Sequence, residues 1–153
     1  MAIVVGGLLV THPAHGQNLK IGINPTIISF PDANPTTTPL IAANTAVAVE
    51  FQVKDNPSMF PWSAQALAFG DLTSGPDSIA ISNITWTSTL TGPCNAECIC
   101  LAGTASKIMP QLMISGQGSV EKFRCTQTYS LANSWSSNPG SYSQQMTITA
   151  SSP

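Results

Sequence analysis

The sequence predicts an all-β protein, an antiparallel β-sandwich of about seven or eight strands. The first indication is alternation: in residues 45–54, Val47, Val49, Phe51 and Val53 share one face and mainly polar side chains take the other. The second is that such segments are short and end at clusters of Pro, Gly and Asn, which favour turns. No window has the periodicity of a three-turn helix. Irregular spacing between the segments favours a sandwich over the alternative, a closed barrel.

The same alternation places the other strands in order along the chain. The segments are residues 18–23, 45–54, 62–69, 79–90, 108–114, 121–131 and 142–150. Ser82 and Asn83 break the fourth segment in two, and Pro110 within the fifth indicates an edge strand. Trp62 and Trp86 fall at core positions of their strands, which predicts that both pack in the interior.

Length and composition set the class of protein. The 153 residues suffice for one domain with a real core. Charged residues make up only 8%, with five Lys and Arg against seven Asp and Glu, and Lys122 and Arg124 are the only closely spaced basic pair. Nucleic-acid binding is therefore not expected, because it normally requires a basic stripe. A hydrophobic content of 42% at strand spacing favours a folded domain over disorder.

The N-terminal segment has the features of a secretory signal peptide. An apolar run fills residues 2–10, too short for the roughly 20 residues that span a bilayer. Ala14 and Gly16 supply small residues for cleavage, so we expect residues 1–16 to be removed and residues 17–153 to form the mature domain. No Lys or Arg precedes the run, so we expect the true start of the leader to lie before Met1. The alternative is that residues 2–10 form a buried strand.

Removal of this segment has a chemical consequence. The two histidines, His12 and His15, both lie within it, so the mature chain would have no imidazole for a catalytic triad or a metal site. Paired carboxylates and phosphate-binding glycine loops are also missing from the sequence pattern. Asp71 and Asp77 flank a turn and are too few for a calcium site by themselves. The sequence thus predicts a secreted or cell-surface protein that is not an enzyme, with no cofactor and no membrane span in the mature chain.

Four cysteines are the candidates for disulfides: Cys94, Cys98, Cys100 and Cys125. Their spacing also suits a four-thiolate zinc site, but export to an oxidising compartment favours disulfides. Of the three pairings, we prefer Cys100 with Cys125 across neighbouring strands, which leaves Cys94 and Cys98 to close a tight loop. Cys98 and Cys100 are badly placed to bond each other on an extended chain.

Trp135 is the candidate ligand contact. It lies in a loop among Ser and Asn residues, where an exposed indole suits stacking on a sugar ring or anchoring a partner.

Two segments resemble known domains. Residues 61–87, with a Trp-led strand, a DLTSG turn and ISNITW, resemble bacterial secreted Ig-like domains. Residues 138–153, NPGSYSQQMTITASSP, are similar to the last strand of spore coat U-type and archaic chaperone–usher pilin domains. The pilin resemblance implies subunits that complete each other's sandwich with an N-terminal strand, and Leu19, Ile21 and Ile23 would be its donor residues.

These observations favour a non-catalytic structural or interaction subunit of the bacterial cell surface that self-associates into an oligomer or filament by strand complementation. The alternative is an Ig-like module that binds a carbohydrate or another surface polymer through Trp135.

Overall fold

The computed structural model describes residues 2–4, 8–10, 18–56, 60–94, 97–136 and 140–152; within residues 2–18 only the backbone of the strands is described. One 3₁₀ turn, Ile81–Asn83, is present among these residues. The strands, in chain order, are β1 (Ala2–Val4), β2 (Leu8–Val10), β3 (Asn18–Asn24), β4 (Ile27–Ser29), β5 (Leu40–Ala42), β6 (Val47–Lys54), β7 (Pro61–Ala68), β8 (Leu72–Ser74), β9 (Asp77–Ile79), β10 (Ile84–Leu90), β11 (Cys98–Cys100), β12 (Gly103–Thr104), β13 (Gln111–Gln117), β14 (Val120–Ala132) and β15 (Met146–Ser151).

Two sheets form the body of the protein. The first has the order β12-β10-β14-β6-β3, with β5 also paired to β14, and all its ladders are antiparallel. The second has the order β11-β13-β7-β15-β2, and its ladders are antiparallel except that of β15 with β2, which is parallel. Two small ladders, β1 with β4 and β8 with β9, lie outside these sheets. The predicted all-β sandwich is confirmed.

The core lies between the sheets because one side chain in two points inward. Burial alternates residue by residue along β6, β7 and β15. At one point three aromatic rings pack together across the interior: the ring centroid of Trp62 lies 5.1 Å from that of Phe51 and 5.2 Å from that of Phe123. Such ring pairs stabilise beyond their buried area, so this cluster is a main anchor of the sandwich.

Both core tryptophans lie over a glycine of the neighbouring strand. Gly116 is the cross-strand partner of Trp62, and Gly103 is the partner of Trp86. The indole N–H of Trp62 donates to the Gly118 carbonyl oxygen at 2.9 Å, and that of Trp86 donates to the Leu101 carbonyl oxygen, also at 2.9 Å. The predicted interior positions of both indoles are therefore confirmed, and each buried N–H has its partner.

The structure corrects the prediction at several strand ends. It has more strands than the seven or eight expected, because short segments such as β5 and β12 pair beside the long strands. The segment predicted to begin at Ile108 begins at Gln111 instead, and the Ile108 side chain is 88% exposed. Pro110 explains the late start, because it has no N–H to donate to a ladder. The prediction of an edge strand was wrong, because β13 pairs with β11 on one side and with β7 on the other. The predicted break at Ser82 and Asn83 is confirmed and takes the form of the 3₁₀ turn.

Candidate functional site

The four cysteines form two disulfides with the pairing preferred from the sequence. Cys94 bonds Cys98, and Cys100 bonds Cys125. The prediction that Cys100 and Cys125 lie on neighbouring strands was wrong: Cys100 is in β11 of the second sheet and Cys125 is in β14 of the first. This bond therefore crosses the interior and ties the sheets together. Because both pairs are bonded, no thiolate is left for the alternative zinc site.

The donor-strand candidates lie within the chain's own first sheet. Leu19, Ile21 and Ile23 belong to β3, which pairs antiparallel with β6. Leu19 is buried, and the other two are partly buried against the core. In the described sheet order β3 is the terminal strand, so it has one strand partner there. Its donation to a second copy remains a prediction.

A short strand from the predicted leader covers the edge of the second sheet. β2 pairs with β15, with Leu8 opposite Ile148 and Val10 opposite Ala150. Cα atoms of β2 also come within 8 Å of Cα atoms of β3, so β2 lies where the two sheets meet. The sequence left open that residues 2–10 form one buried strand. The structure has two short strands there, β1 and β2, and describes their backbone but not the burial of their side chains. We call the line along β15, β2 and β3 the seam.

Trp135 lies at a groove of about 400 Å³ on another part of the molecule. Its side chain is 72% exposed, and its indole N–H donates to Thr36 Oγ at 3.1 Å. The loop that carries it is fixed by Asn133, whose side-chain amide donates to the carbonyl oxygens of Ala33 and Thr38 at 3.0 Å each. The groove is lined by Phe30, Pro31, Asp32, Ala33, Pro35, Ile41, Ile79, Leu131, Asn133, Ser134, Trp135, Gly140 and Tyr142.

Sequence reasoning found Trp135 but missed the other wall of its groove. Asp32 and Pro35 belong to the proline-rich loop, about a hundred residues away along the chain. The loop reaches Trp135 because β5, which follows it, pairs with the end of β14, which precedes Trp135. No local pattern in the sequence reports that pairing.

A buried polar pair in the interior was also missed. Gln127 on β14 is fully buried, and its Oε1 accepts a hydrogen bond of 3.0 Å from the Tyr129 hydroxyl. Burial raises the pKa of that hydroxyl, so Tyr129 stays neutral and acts as the donor. The alternation of β14 already indicates that Gln127 faces inward, which was the available signal.

Some of the charged side chains form ion pairs at the surface. Glu50 contacts Lys122 and Arg124 on the neighbouring strand, and Asp71 contacts Lys107 at 2.5 Å. Asp71 Oδ1 also accepts a hydrogen bond from the Ile81 backbone N–H at 3.0 Å. Asp71 therefore has a protein cation and an amide as partners, and among the described residues no cluster of metal-ligating side chains is found.

Acidification should weaken the contact of Asp71. The Lys107 ammonium, with the Ile81 amide, lowers the pKa of Asp71 below its ordinary value. A lowered folded-state pKa means that the contribution is complete above the unfolded pKa, about 3.9, and is lost as the pH falls through the folded value. We expect Asp71→Asn to lower the melting temperature at pH 6 and to lose that difference near pH 2. A constant difference across this range would contradict the assignment, and Asp32→Asn, at an exposed loop position, is the control.

Comparisons with family models, curated proteins and solved structures find no match for this chain. Within the described ranges there is no helix of the length and apolarity needed to cross a membrane. The two disulfides are compatible with an extracellular protein.

Proposed function

We propose that this chain is an exported, non-catalytic structural subunit of the bacterial cell surface that assembles with other copies by β-strand complementation. The observation that supports the proposal most is the position of β2. It covers the edge of β15 at the seam, and it belongs to the segment, residues 1–16, that has the features of a cleaved leader.

Cleavage would leave the seam incomplete. β15 would lose its parallel partner, and the buried side chains of Met146, Ile148 and Ala150 line the strand that would be uncovered. An unpaired strand edge beside apolar side chains is a template for a strand from another chain. A strand with alternate apolar residues satisfies both needs, because its backbone continues the ladder and its side chains enter the core.

The donor that we propose is β3 of a second copy. Its residues Leu19, Ile21 and Ile23 alternate with polar or small ones, and β3 has one ladder to give up because it is the terminal strand of its sheet. Exchange between copies would break the ladder with β6 in one molecule and form a new ladder in the next. The bond between Cys100 and Cys125 would hold the two sheets together during that exchange.

The experiment compares a chain of residues 17–153 with the full chain. We expect the shorter chain to form oligomers or filaments in size-exclusion chromatography and electron microscopy, and the full chain, in which β2 occupies the seam, to stay monomeric. A peptide of residues 2–16 added during refolding should suppress the oligomers, because it would occupy the same edge. A shorter chain that remains monomeric at all concentrations would contradict the proposal.

The donor is tested within the shorter chain. Removal of residues 17–24 should abolish assembly and leave a soluble but destabilised domain, and Ile21→Asp combined with Ile23→Asp should do the same. Lys20→Gln, on the exposed face of β3, is the matched control and should assemble normally. Unchanged filaments from the deletion would rule out β3 as the donor.

A further inference from the structure

We infer that the Trp135 groove is a binding site for an uncharged polysaccharide. This goes beyond the proposed assembly, because none of the residues that line the groove belongs to β2, β3 or β15. Each subunit would carry such a site, whether free or assembled.

The indole is exposed and held in one orientation. Its 72% exposure leaves most of the ring free for a ligand, while the hydrogen bond to Thr36 fixes its edge. Asn133 also holds the loop that carries Trp135, because its side-chain amide donates to the carbonyl oxygens of Ala33 and Thr38 in or next to the facing loop. A ring that is fixed before binding loses little rotational freedom when a ligand stacks on it, which favours affinity.

The groove combines an apolar floor with a polar rim. Phe30, Leu131 and Tyr142 beneath it are buried, whereas Asp32 and Ser134 at its edge are exposed. A pyranose ring matches this arrangement, because its C–H face stacks on an aromatic ring and its hydroxyls donate to carboxylate or hydroxyl oxygens. A volume of about 400 Å³ is within the range of small-ligand sites.

The charges in the groove indicate which saccharides it accepts. Among the described residues that line it, Asp32 is the only charged one, and none of the Lys and Arg residues is among them. Sulfated and uronic-acid polymers would place their anions beside this carboxylate with no cation to compensate. Polymers of uncharged hexoses or N-acetylated hexosamines meet no such repulsion.

The test is isothermal titration calorimetry of the full chain with cellohexaose, chitohexaose and a heparin hexasaccharide. We expect saturable binding of at least one uncharged oligosaccharide and none of heparin. Trp135→Ala should weaken binding at least tenfold, and Thr36→Val, which frees the indole edge, should weaken it several-fold. Phe69→Ala is the matched control: Phe69 is 69% exposed but lies outside the groove, so its loss should leave the affinity unchanged.

Three outcomes would overturn the inference. They are the absence of saturable binding to either uncharged oligosaccharide, binding of heparin more tightly than both, and equal affinities of Trp135→Ala and Phe69→Ala. The titration uses the full chain and does not depend on oligomer formation, so a failure here leaves the assembly proposal untouched, and a failure of assembly leaves this one untouched.

Discussion

Gly116→Ala is expected to destabilise the protein by about 3 kcal/mol, at the upper end of the usual cost of overpacking a core. A Cβ at this position would overlap the benzo ring of Trp62 and would lie 2.5 Å from the Glu97 carbonyl oxygen. Trp62 has little room to move, because its ring packs against Phe51 and Phe123 and its N–H is bonded to Gly118. Either the indole leaves the cluster or β13 moves away from β7. The free energy of unfolding, measured by urea denaturation, checks this value.

Gly22→Ala is the control for that substitution. Gly22 also lies in a strand, but the nearest atom to its added Cβ would be Glu50 Cβ at 3.8 Å, an ordinary contact. We expect a change within about 0.5 kcal/mol, typical of an exposed site. Equal losses of unfolding free energy for Gly116→Ala and Gly22→Ala would contradict this explanation, because they would show that the cost does not come from the clash with the Trp62 indole.

The pair of Gly103 and Trp86 allows the steric clash between an added Cβ and the indole to be measured separately from other effects of the substitution. A Cβ at Gly103 would meet atoms of the Trp86 ring and no other group among its nearest neighbours. A double-mutant cycle with Trp86→Phe, which removes part of that ring, should therefore show Gly103→Ala to be less costly in the Phe background. Additive losses would contradict the clash.

The fold was largely predictable because one physical rule dominates it. Two-residue alternation along β6, β7 and β14 states which side chains face the core, and short segments between turn residues exclude helices. The glycines opposite Trp62 and Trp86 were not predictable. Their role depends on which residues face each other across two strands, and alternation gives the face of a residue but not its partner.

The candidate site was predictable only as far as local sequence reaches, because its contacts between distant segments have no local signal. Chain geometry spoke against a bond between Cys98 and Cys100, and the polar loop indicated an exposed Trp135, since both arguments use only near neighbours in the sequence. The preference for Cys100 with Cys125 gave the right bond from a wrong premise, because the two residues lie in different sheets. The crossing of Cys100 and Cys125 between sheets, the parallel pairing of β2 with β15 and the contact of Trp135 with Thr36 all join distant segments. The first depends on how the sheets stack, and the other two depend on which distant strands pair within a sheet. No single segment encodes either.

Loss of the bond between Cys100 and Cys125 is expected to cost about 3–4 kcal/mol, the largest effect of any disulfide change in this chain. The two residues are 25 positions apart, and closing a loop of that length removes much of the freedom of the unfolded chain. The bond also joins the two sheets at a point inside the core, because Cys125 is fully buried. Without the bond, the sheets lose this covalent link. Cys100→Ala combined with Cys125→Ala removes it without burying a new polar group.

Cys94→Ala combined with Cys98→Ala is the matched comparison. These residues are only four positions apart, so the same chain-entropy argument gives about 2 kcal/mol. Urea denaturation of both double variants should show the larger loss of unfolding free energy for the variant without the Cys100–Cys125 bond. Reductant should destabilise each variant further, because it breaks the one disulfide that the variant still has. Equal losses, or a larger loss from the short loop, would mean that the link between the sheets contributes no more than a local turn.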